Sequence, residues 1–189
     1  ERRIDIDRRG RFKEGVVGKL TGGLGQLSKA RKITFVHGWA AFRDATTLDV
    51  DLVDGGKTEV KFRNAILATG SRPAMIPGLP EGSSRVMDST GALALEDVPA
   101  KLLVIGGGYI GLEMATVYAA LGSKVTVVEM TGGLLPGADR DMVNHLKKRL
   151  EGDFESIMLN TKVVEVKEQK NGLKVTLENA EGEDRKSVV

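Results

Sequence analysis

An α/β fold is what this sequence predicts, with a β-α-β unit in its second half and an antiparallel meander in its first. Three observations predict it. A continuous apolar run, "KLLVIG" at 101–106, leads into an amphipathic segment and then into a second apolar run, "SKVTVVEM" at 123–130. Short β-branched, often alternating runs separated by turn residues fill 33–69. The 24 glycines gather at a few turns rather than repeating with a period, so neither a collagen-like nor a disordered chain is implied.

Taken in order, the opening stretch "ERRIDIDRRGRFK" sets Arg2, Arg3, Arg8, Arg9, Arg11 and Lys13 against Glu1, Asp5 and Asp7. It reads as a solvated surface segment. Residues 12–31 place Val16, Val17, Leu20, Leu24 and Leu27 at helical spacing. Gly22, Gly23 and Gly25 inside that pattern each cost up to about 1 kcal/mol of helix stability. Either a turn breaks the helix there or, the better reading, another element packs close to its backbone. Strands are expected in "KITFVHG", "AAFRD", "TTLDVDLVD" and "TEVKFRNAILAT", with a hairpin turn at Asp54-Gly55-Gly56 and a more buried strand in "NAILAT" at 64–69. The proline- and glycine-rich 70–84 is a loop or crossing between domains. "DSTGALALEDVP" holds a short helix capped near Ser89 or Thr90.

The run at 101–106 is apolar without alternation, as in a strand covered on both faces. The helix after it carries Ile110, Met114, Val117, Tyr118 and Leu121 on one face, with Gly122 where a left-handed C-cap belongs. A second strand follows at 123–130. A second helix over 138–152 is capped by Asp139, striped by Met142, Val143, Leu146 and Leu150, and stopped by Gly152. "SIMLN" is a third strand, and a hairpin turns at Asn171-Gly172. Met75, Met87, Met114, Met130, Met142 and Met158 are scattered and read as core or interface fillers.

Composition excludes several functions. There is no cysteine, hence no disulfide framework, thiolate metal site or thiol nucleophile. His37 and His145 have no partners at metal-ligand spacing and read as structural, so no metal is expected. A net charge of +2 with no basic stripe argues against nucleic acid. No apolar run approaches the roughly 20 residues of a membrane helix, and no signal peptide opens the chain. The first residue is Glu1 and the last, "KSVV", resembles an unfinished strand. Both ends read as cut, and a fragment of a longer protein is expected.

The chemistry is expected at Gly106-x-Gly108-x-x-Gly111. Alone this spacing is weak. Here it follows a buried-strand pattern, opens a helix, and is answered by Glu129 at the end of the next strand. Those are the conditions of a Rossmann-like dinucleotide fingerprint. Gly106 makes the tight turn, Gly108 keeps a Cβ off the pyrophosphate, and Gly111 lets helix lie on strand. The helix N-terminus faces the phosphates, and Glu129 can accept from both adenosine ribose hydroxyls. A 2′-phosphate about 4 Å from that carboxylate is repelled by about 4 kcal/mol at an effective dielectric near 20. The expected cofactor is therefore NAD rather than NADP.

Five segments, "LTGGL", "ILATGSRP", "GGGYIGLEMATVYAALG", "VTVVEM" and "LNTKV", occur in an order and spacing that resemble the flavin-dependent pyridine-nucleotide disulfide oxidoreductases. Within that family the chain resembles the members that oxidise dihydrolipoamide carried on a lipoyl domain of the 2-oxo-acid dehydrogenase complexes. The resemblance runs over the whole chain and less than half of the family's usual length. It implies a partial FAD-binding domain over 1–98, meander included, and an NAD-binding domain over 99–189, incomplete at its C-terminal end. It sets Thr69, Gly70 and Ser71 against FAD, with the backbone of Ala40 at the adenine. Gly106, Gly107, Gly108, Tyr109, Ile110, Gly111, Leu112, Glu113 and Glu129 would hold NAD, with Val163 near its adenine. Glu113 would lie toward nicotinamide and flavin, or simply be a polar residue favoured by the helix dipole. Tyr109 resembles the tyrosine some relatives place over the nicotinamide pocket, where many dihydrolipoamide-oxidising members carry an aliphatic residue; packing is its other reading.

The function so implied is FAD-dependent oxidation of dihydrolipoamide with NAD as acceptor, by a homodimer, in the cytoplasm or in the mitochondrial matrix of a eukaryote. The chain holds no Cys-x4-Cys pair, no upstream G-x-G-x-x-G and no His-x4-Glu, since Phe42 and Leu150 stand five places after its two histidines. No catalytic residue is therefore assigned. The chain as written is expected not to turn over lipoamide, to bind NAD weakly at best and to hold no stable FAD. The alternatives are another member of the group (mercuric, glutathione-type or transhydrogenase-like) or a nucleotide-binding module without catalysis. Glu129 counts against the NADPH-using members, which usually put no acid there and add arginines close by; here no basic residue follows until Arg140.

Overall fold

A computed structural model describes residues 5–74, 76–80, 82–179, 181–182 and 184–188. The first four residues of the basic opening stretch and Met75 lie outside the described residues. Packing divides the chain into residues 11–72 and residues 73–189 together with 1–10.

The first helix, α1 (Ile6–Ala30), runs unbroken through its glycines and buries no residue. Nothing lies within 4 Å of a Cβ built on Gly22, Gly23 or Gly25. Both expectations for those glycines, a break or a close-packed neighbour, are thus corrected. A glycine weakens the helix without removing a hydrogen bond. The hydroxyls of Thr21 and Ser28 donate back to the carbonyls of Val17 and Leu24 on either side.

The meander is an antiparallel sheet of β1 (Gly38–Asp44), β2 (Thr47–Leu52) and β3 (Lys57–Lys61), paired in that order with Ala40 opposite Val50 and Val50 opposite Thr58. In its β2–β3 turn the Gly55 N–H donates to the Leu52 carbonyl and the Leu52 N–H to the Gly56 carbonyl, a three-residue hairpin loop whose last residue, Gly55 at φ 91°, takes the left-handed position that favours glycine. Two expected strands do not form. Residues 33–37 are irregular, and pairing begins only at Gly38, where a Cβ would stand 2.4 Å from the Asp51 carbonyl oxygen. Residues 64–69 are also irregular, with Ile66 94% and Leu67 72% exposed. A strand of that apolar type needs a neighbour on each edge and cover on both faces. Among the described residues none pairs with it.

In the other unit, β4 (Lys101–Ile105), β5 (Lys124–Val128) and β6 (Ser156–Met158) form a parallel sheet in that order, with Leu103 opposite Thr126 and Val127 opposite Ile157. Alternation along β5 explains its unbroken apolar run. Val125 and Val127 enter a cluster with Leu112, Ala115 and Tyr118 of α3 (Tyr109–Leu121) and Val143 and Leu150 of α4 (Arg140–Asp153). Val128 faces the opposite way, onto Val166, Leu173, Val175 and Leu177 of a second antiparallel sheet. That sheet is β7 (Thr161–Gln169), β8 (Gly172–Asn179) and β9 (Asp184–Val188). The parallel sheet is therefore covered on both faces.

Three details depart from expectation. The short helix α2 (Ser89–Ala94) is capped by Asp88, whose carboxylate accepts from the Gly91 N–H at 2.9 Å; the aspartate outcompetes Ser89 and Thr90 one place upstream. The core face of α3 is Leu112, Ala115 and Tyr118, while Ile110 and Val117 are exposed on the side of Glu113 and Thr116. Helix α4 passes through Gly152 to Asp153, and Met142, like Met130, is exposed rather than a filler. Tyr118 is the anchor here: fully buried, it donates its hydroxyl to the Ala92 carbonyl at 3.0 Å and ties α3 to α2.

Candidate functional site

The chain leaves β4 at its carboxyl end through Gly106, which holds φ at +107°. A β-carbon is strained in that region, so glycine is what the turn requires. The Gly106 N–H donates to the Val128 carbonyl at 2.8 Å, so the turn is pinned to the end of β5. At Gly111 the helix meets the strand it came from: a Cβ would stand 2.4 Å from the Gly106 carbonyl oxygen and 3.3 Å from Val104 Cγ1. Gly108 caps α3 with no side-chain hydrogen bond, and nothing lies within 4 Å of a Cβ built on it. The three glycines thus have three different environments: a strained backbone, an open face and a close packing contact.

Gly107 is crowded for a fourth reason, which the spacing did not reveal. A Cβ there would meet Leu134 Cδ2 at 2.6 Å and the Glu129 side chain at 3.2 Å. Leu134 is fully buried, and the Leu135 N–H donates to the Gly107 carbonyl at 2.9 Å. The loop between β5 and α4 therefore closes over the glycine turn. Arg140 holds that loop from within, donating to the carbonyls of Leu134, Leu135 and Ala138 at 2.6–3.0 Å. Its guanidinium has four of its five donor positions committed in this way.

Glu129, only 6% exposed, stands at the end of β5 and faces the turn. Its Oε2 accepts the Gly107 N–H at 2.7 Å. Its Oε1 accepts the Thr131 N–H and the Thr131 hydroxyl, each at 2.7 Å. Burial pushes this carboxyl up, but the hydrogen bonds from the Gly107 N–H and from the hydroxyl and N–H of Thr131 more than offset it. The group stays below the ordinary carboxylate value. A depressed pKa stabilises the fold at pH above the unfolded value, about 4.3, and that contribution is lost as pH falls through the folded pKa. Stability followed by thermal melts is expected to be flat in this respect above about pH 5 and to fall below it, with the slope reduced when Glu129 is replaced.

The remaining predicted residues divide by unit. Tyr109 and Ile110 open α3 and are 69% and 47% exposed; Glu113 is exposed one turn on. Leu112 lies with its side chain in the core, and its N–H is bonded to the Gly108 carbonyl. Val163 is partly buried on β7, two residues past Thr161, whose N–H donates to the Glu129 carbonyl at 3.0 Å. Ala40 lies exposed on β1, and Thr69, Gly70 and Ser71 are exposed in irregular backbone. Sequence reasoning missed Thr131, Leu134 and Arg140, having read their loop as an orienting turn. The one available signal was a threonine two places after an acid at a strand end. A cleft of about 350 Å³ opens elsewhere, between 156–161 and Leu177 and Asn179; no titratable side chain lines it. Among the described residues no group of three or more His, Asp or Glu could hold a metal ion. No helix among them is long and apolar enough to cross a membrane.

A parallel β-α-β unit with this turn and an acid at the end of the second strand places the protein in the class of Rossmann-like α/β proteins. The sequence profile described as "Pyridine nucleotide-disulphide oxidoreductase" matches residues 2–189, and the chain belongs to that family. The dihydrolipoyl dehydrogenase of Haemophilus influenzae is 50% identical over 186 residues, 98% of this chain and 39% of that protein. The dihydrolipoyl dehydrogenase of Vibrio cholerae is 49% identical over 178 residues, 94% of this chain and 37% of its own length. Among solved structures, the HOCl-induced flavoprotein disulfide reductase RclA from Escherichia coli superimposes with a TM-score of 0.81 at 30% identity, over 97% of this chain and 41% of that one. The chain thus spans well under half the length of the curated relatives it matches.

Proposed function

We propose that this chain is the nicotinamide-binding part of a dihydrolipoyl dehydrogenase, with NAD seated on the glycine turn and selected by Glu129. The observation that carries the reading is the Glu129–Gly107 hydrogen bond of 2.7 Å, which sets a buried, ionised carboxylate beside an open Gly108 at the carboxyl edge of a parallel sheet. The turn fits a pyrophosphate: Gly108 offers bare backbone and α3 presents its free N-terminal N–H groups. In this reading Tyr109, Ile110 and Glu113, along the same helix end, would face the nicotinamide, and Val163 on β7 the adenine. Four of the five Arg140 donor positions are taken by loop carbonyls, so this guanidinium has little left to offer a 2′-phosphate. In this reading 99–189 is the NAD domain and 1–98 belongs to the FAD domain.

The dithiol, the flavin and the lipoyl-bearing partner enter through the relatives. Gly106, Gly107, Gly108 and Glu129 would hold NAD, which would supply a hydride acceptor there. Ala40, Thr69, Gly70 and Ser71 are exposed and form no cradle for FAD among residues 11–72. The chain itself supplies orientation of the nicotinamide cofactor, choice of its sugar, and exclusion of water by the loop over Gly107. A homodimer acting with a 2-oxo-acid dehydrogenase complex, in a bacterial cytoplasm or a mitochondrial matrix, is part of the same proposal. Identity supports the dihydrolipoyl reading over an RclA-like one: 50% to the dihydrolipoyl dehydrogenase of Haemophilus influenzae against 30% to RclA.

The test is calorimetric titration of the full-length protein with ADP-ribose and with its 2′-phosphate, probes that bind without reacting. ADP-ribose is expected to bind at least about a hundredfold more tightly, from the like-charge repulsion beside Glu129. Equal binding of the two would remove the reading.

A further inference from the structure

The reading of Glu129 as ribose acceptor leaves a shortage. A carboxylate has about four lone-pair sites. Three are filled by the chain itself: the Gly107 N–H on Oε2, and the Thr131 N–H and hydroxyl on Oε1. One site on Oε2 is left for two ribose hydroxyls. Two of the three occupants are backbone N–H groups, fixed by the turn and by the Thr131 carbonyl's own bond from the Asn160 N–H at 3.0 Å. The Thr131 hydroxyl can turn. A second acceptor is ready for it, the Gly133 carbonyl at 3.0 Å. One hydroxyl hydrogen cannot serve both, and the shorter, charge-assisted contact is to Glu129.

We propose that the Thr131 hydroxyl is a built-in competitor for the ribose seat, which NAD must displace from Glu129 Oε1 toward the Gly133 carbonyl in order to engage both ribose hydroxyls. Thr131 thereby moderates affinity for the dinucleotide at the site proposed above, and this inference rests on that reading. The residue is exposed, and the shortest contact of its hydroxyl is to the carboxylate, at 2.7 Å. In an enzyme that must release its reduced dinucleotide at every turnover, a hydrogen bond that the ligand has to replace shortens residence without altering which sugar is accepted.

The consequence is a gain of affinity on removing a polar group at the site. In full-length protein, Thr131→Val, which keeps the shape and deletes the hydroxyl, is expected to bind ADP-ribose about three- to tenfold more tightly, the worth of one exchanged hydrogen bond. Thr131→Ala, which lacks both hydroxyl and β-branching, is expected to tighten binding likewise, and Thr131→Ser to bind as the parent does. Binding of 2′-phospho-ADP-ribose, with one hydroxyl fewer, is expected to stay within about twofold in all three. Unchanged or weaker ADP-ribose binding in both hydroxyl-free variants, with thermal melts showing folded protein, would overturn the proposal; a structural role for Thr131 could only weaken binding. Glu129→Gln separates the two levels. If it weakens ADP-ribose binding while Thr131→Val does not tighten it, the competitor is disproved and the ribose acceptor stands. If it leaves ADP-ribose binding unchanged, both fall.

Discussion

Gly108→Ala is expected to weaken ADP-ribose binding by about a hundredfold, roughly 2.7 kcal/mol, while Gly111→Ala is expected to destabilise the fold itself by about 3 kcal/mol. The two substitutions add the same methyl group three residues apart. At Gly108 no atom of the protein lies within 4 Å of it, and the backbone, at φ −76°, accommodates alanine without strain. The cost to folding is the loss of a favourable N-cap, at most about 1 kcal/mol. In the proposed reading the methyl would stand where the pyrophosphate approaches backbone N–H groups and would force the phosphate outward. At Gly111 the methyl would lie 2.4 Å from the Gly106 carbonyl oxygen. That contact is backbone against backbone, so relief requires α3 to lift off β4, which opens the cluster around Leu112 and Ala115. Thermal melts and titration on both variants make the test. A folded, tightly binding Gly108→Ala protein would show that nothing phosphorylated docks there.

This contrast also marks how far the sequence could be read. The tight turn at Gly106 and the close packing at Gly111 were legible because spacing, a preceding apolar run and a following acid agree. So were the parallel strands, whose unbroken apolar runs report cover on two faces, and the hairpins, whose Asp-Gly-Gly and Asn-Gly turns carry their own backbone requirement. The failures share a cause. Residues 64–69 read as a buried strand, but a strand is defined by its partners, and composition does not say whether they are present. The core face of α3 was misread because apolar residues outnumber its two polar ones, Glu113 and Thr116, whose exposed side also carries Val117. The glycines of α1 suggested contact, and contact is not encoded by the residue that would permit it. Thr131, Leu134 and Arg140 were invisible because their work is done by a rotatable hydroxyl, a leucine tip and a set of carbonyl contacts. No spacing rule describes these.

Glu129→Gln is the change with the widest consequences, although it replaces a single oxygen. The carboxylate accepts on both sides from donors that cannot move, the Gly107 N–H on Oε2 and the Thr131 N–H on Oε1. An amide has one oxygen, so its NH2 must face one of those N–H groups, donor against donor. A buried donor left without an acceptor costs about 1–3 kcal/mol, and the remaining bonds lose their charge assistance. A destabilisation of about 3 kcal/mol is therefore expected, seen as a lowered midpoint in thermal or urea unfolding. The acid-induced loss of stability assigned to this group should shrink with it. Selectivity should change at the same time. Removing the negative charge removes the repulsion of a 2′-phosphate, about 4 kcal/mol at 4 Å and an effective dielectric near 20. The preference for ADP-ribose over its 2′-phosphate is then expected to fall to about tenfold or less. The two readouts are independent, since stability reports the bonds to Gly107 and Thr131 and the binding ratio reports the charge. A glutamine protein with reduced stability and an undiminished ratio would mean that this carboxylate fastens the loop to the turn and that another group judges the sugar.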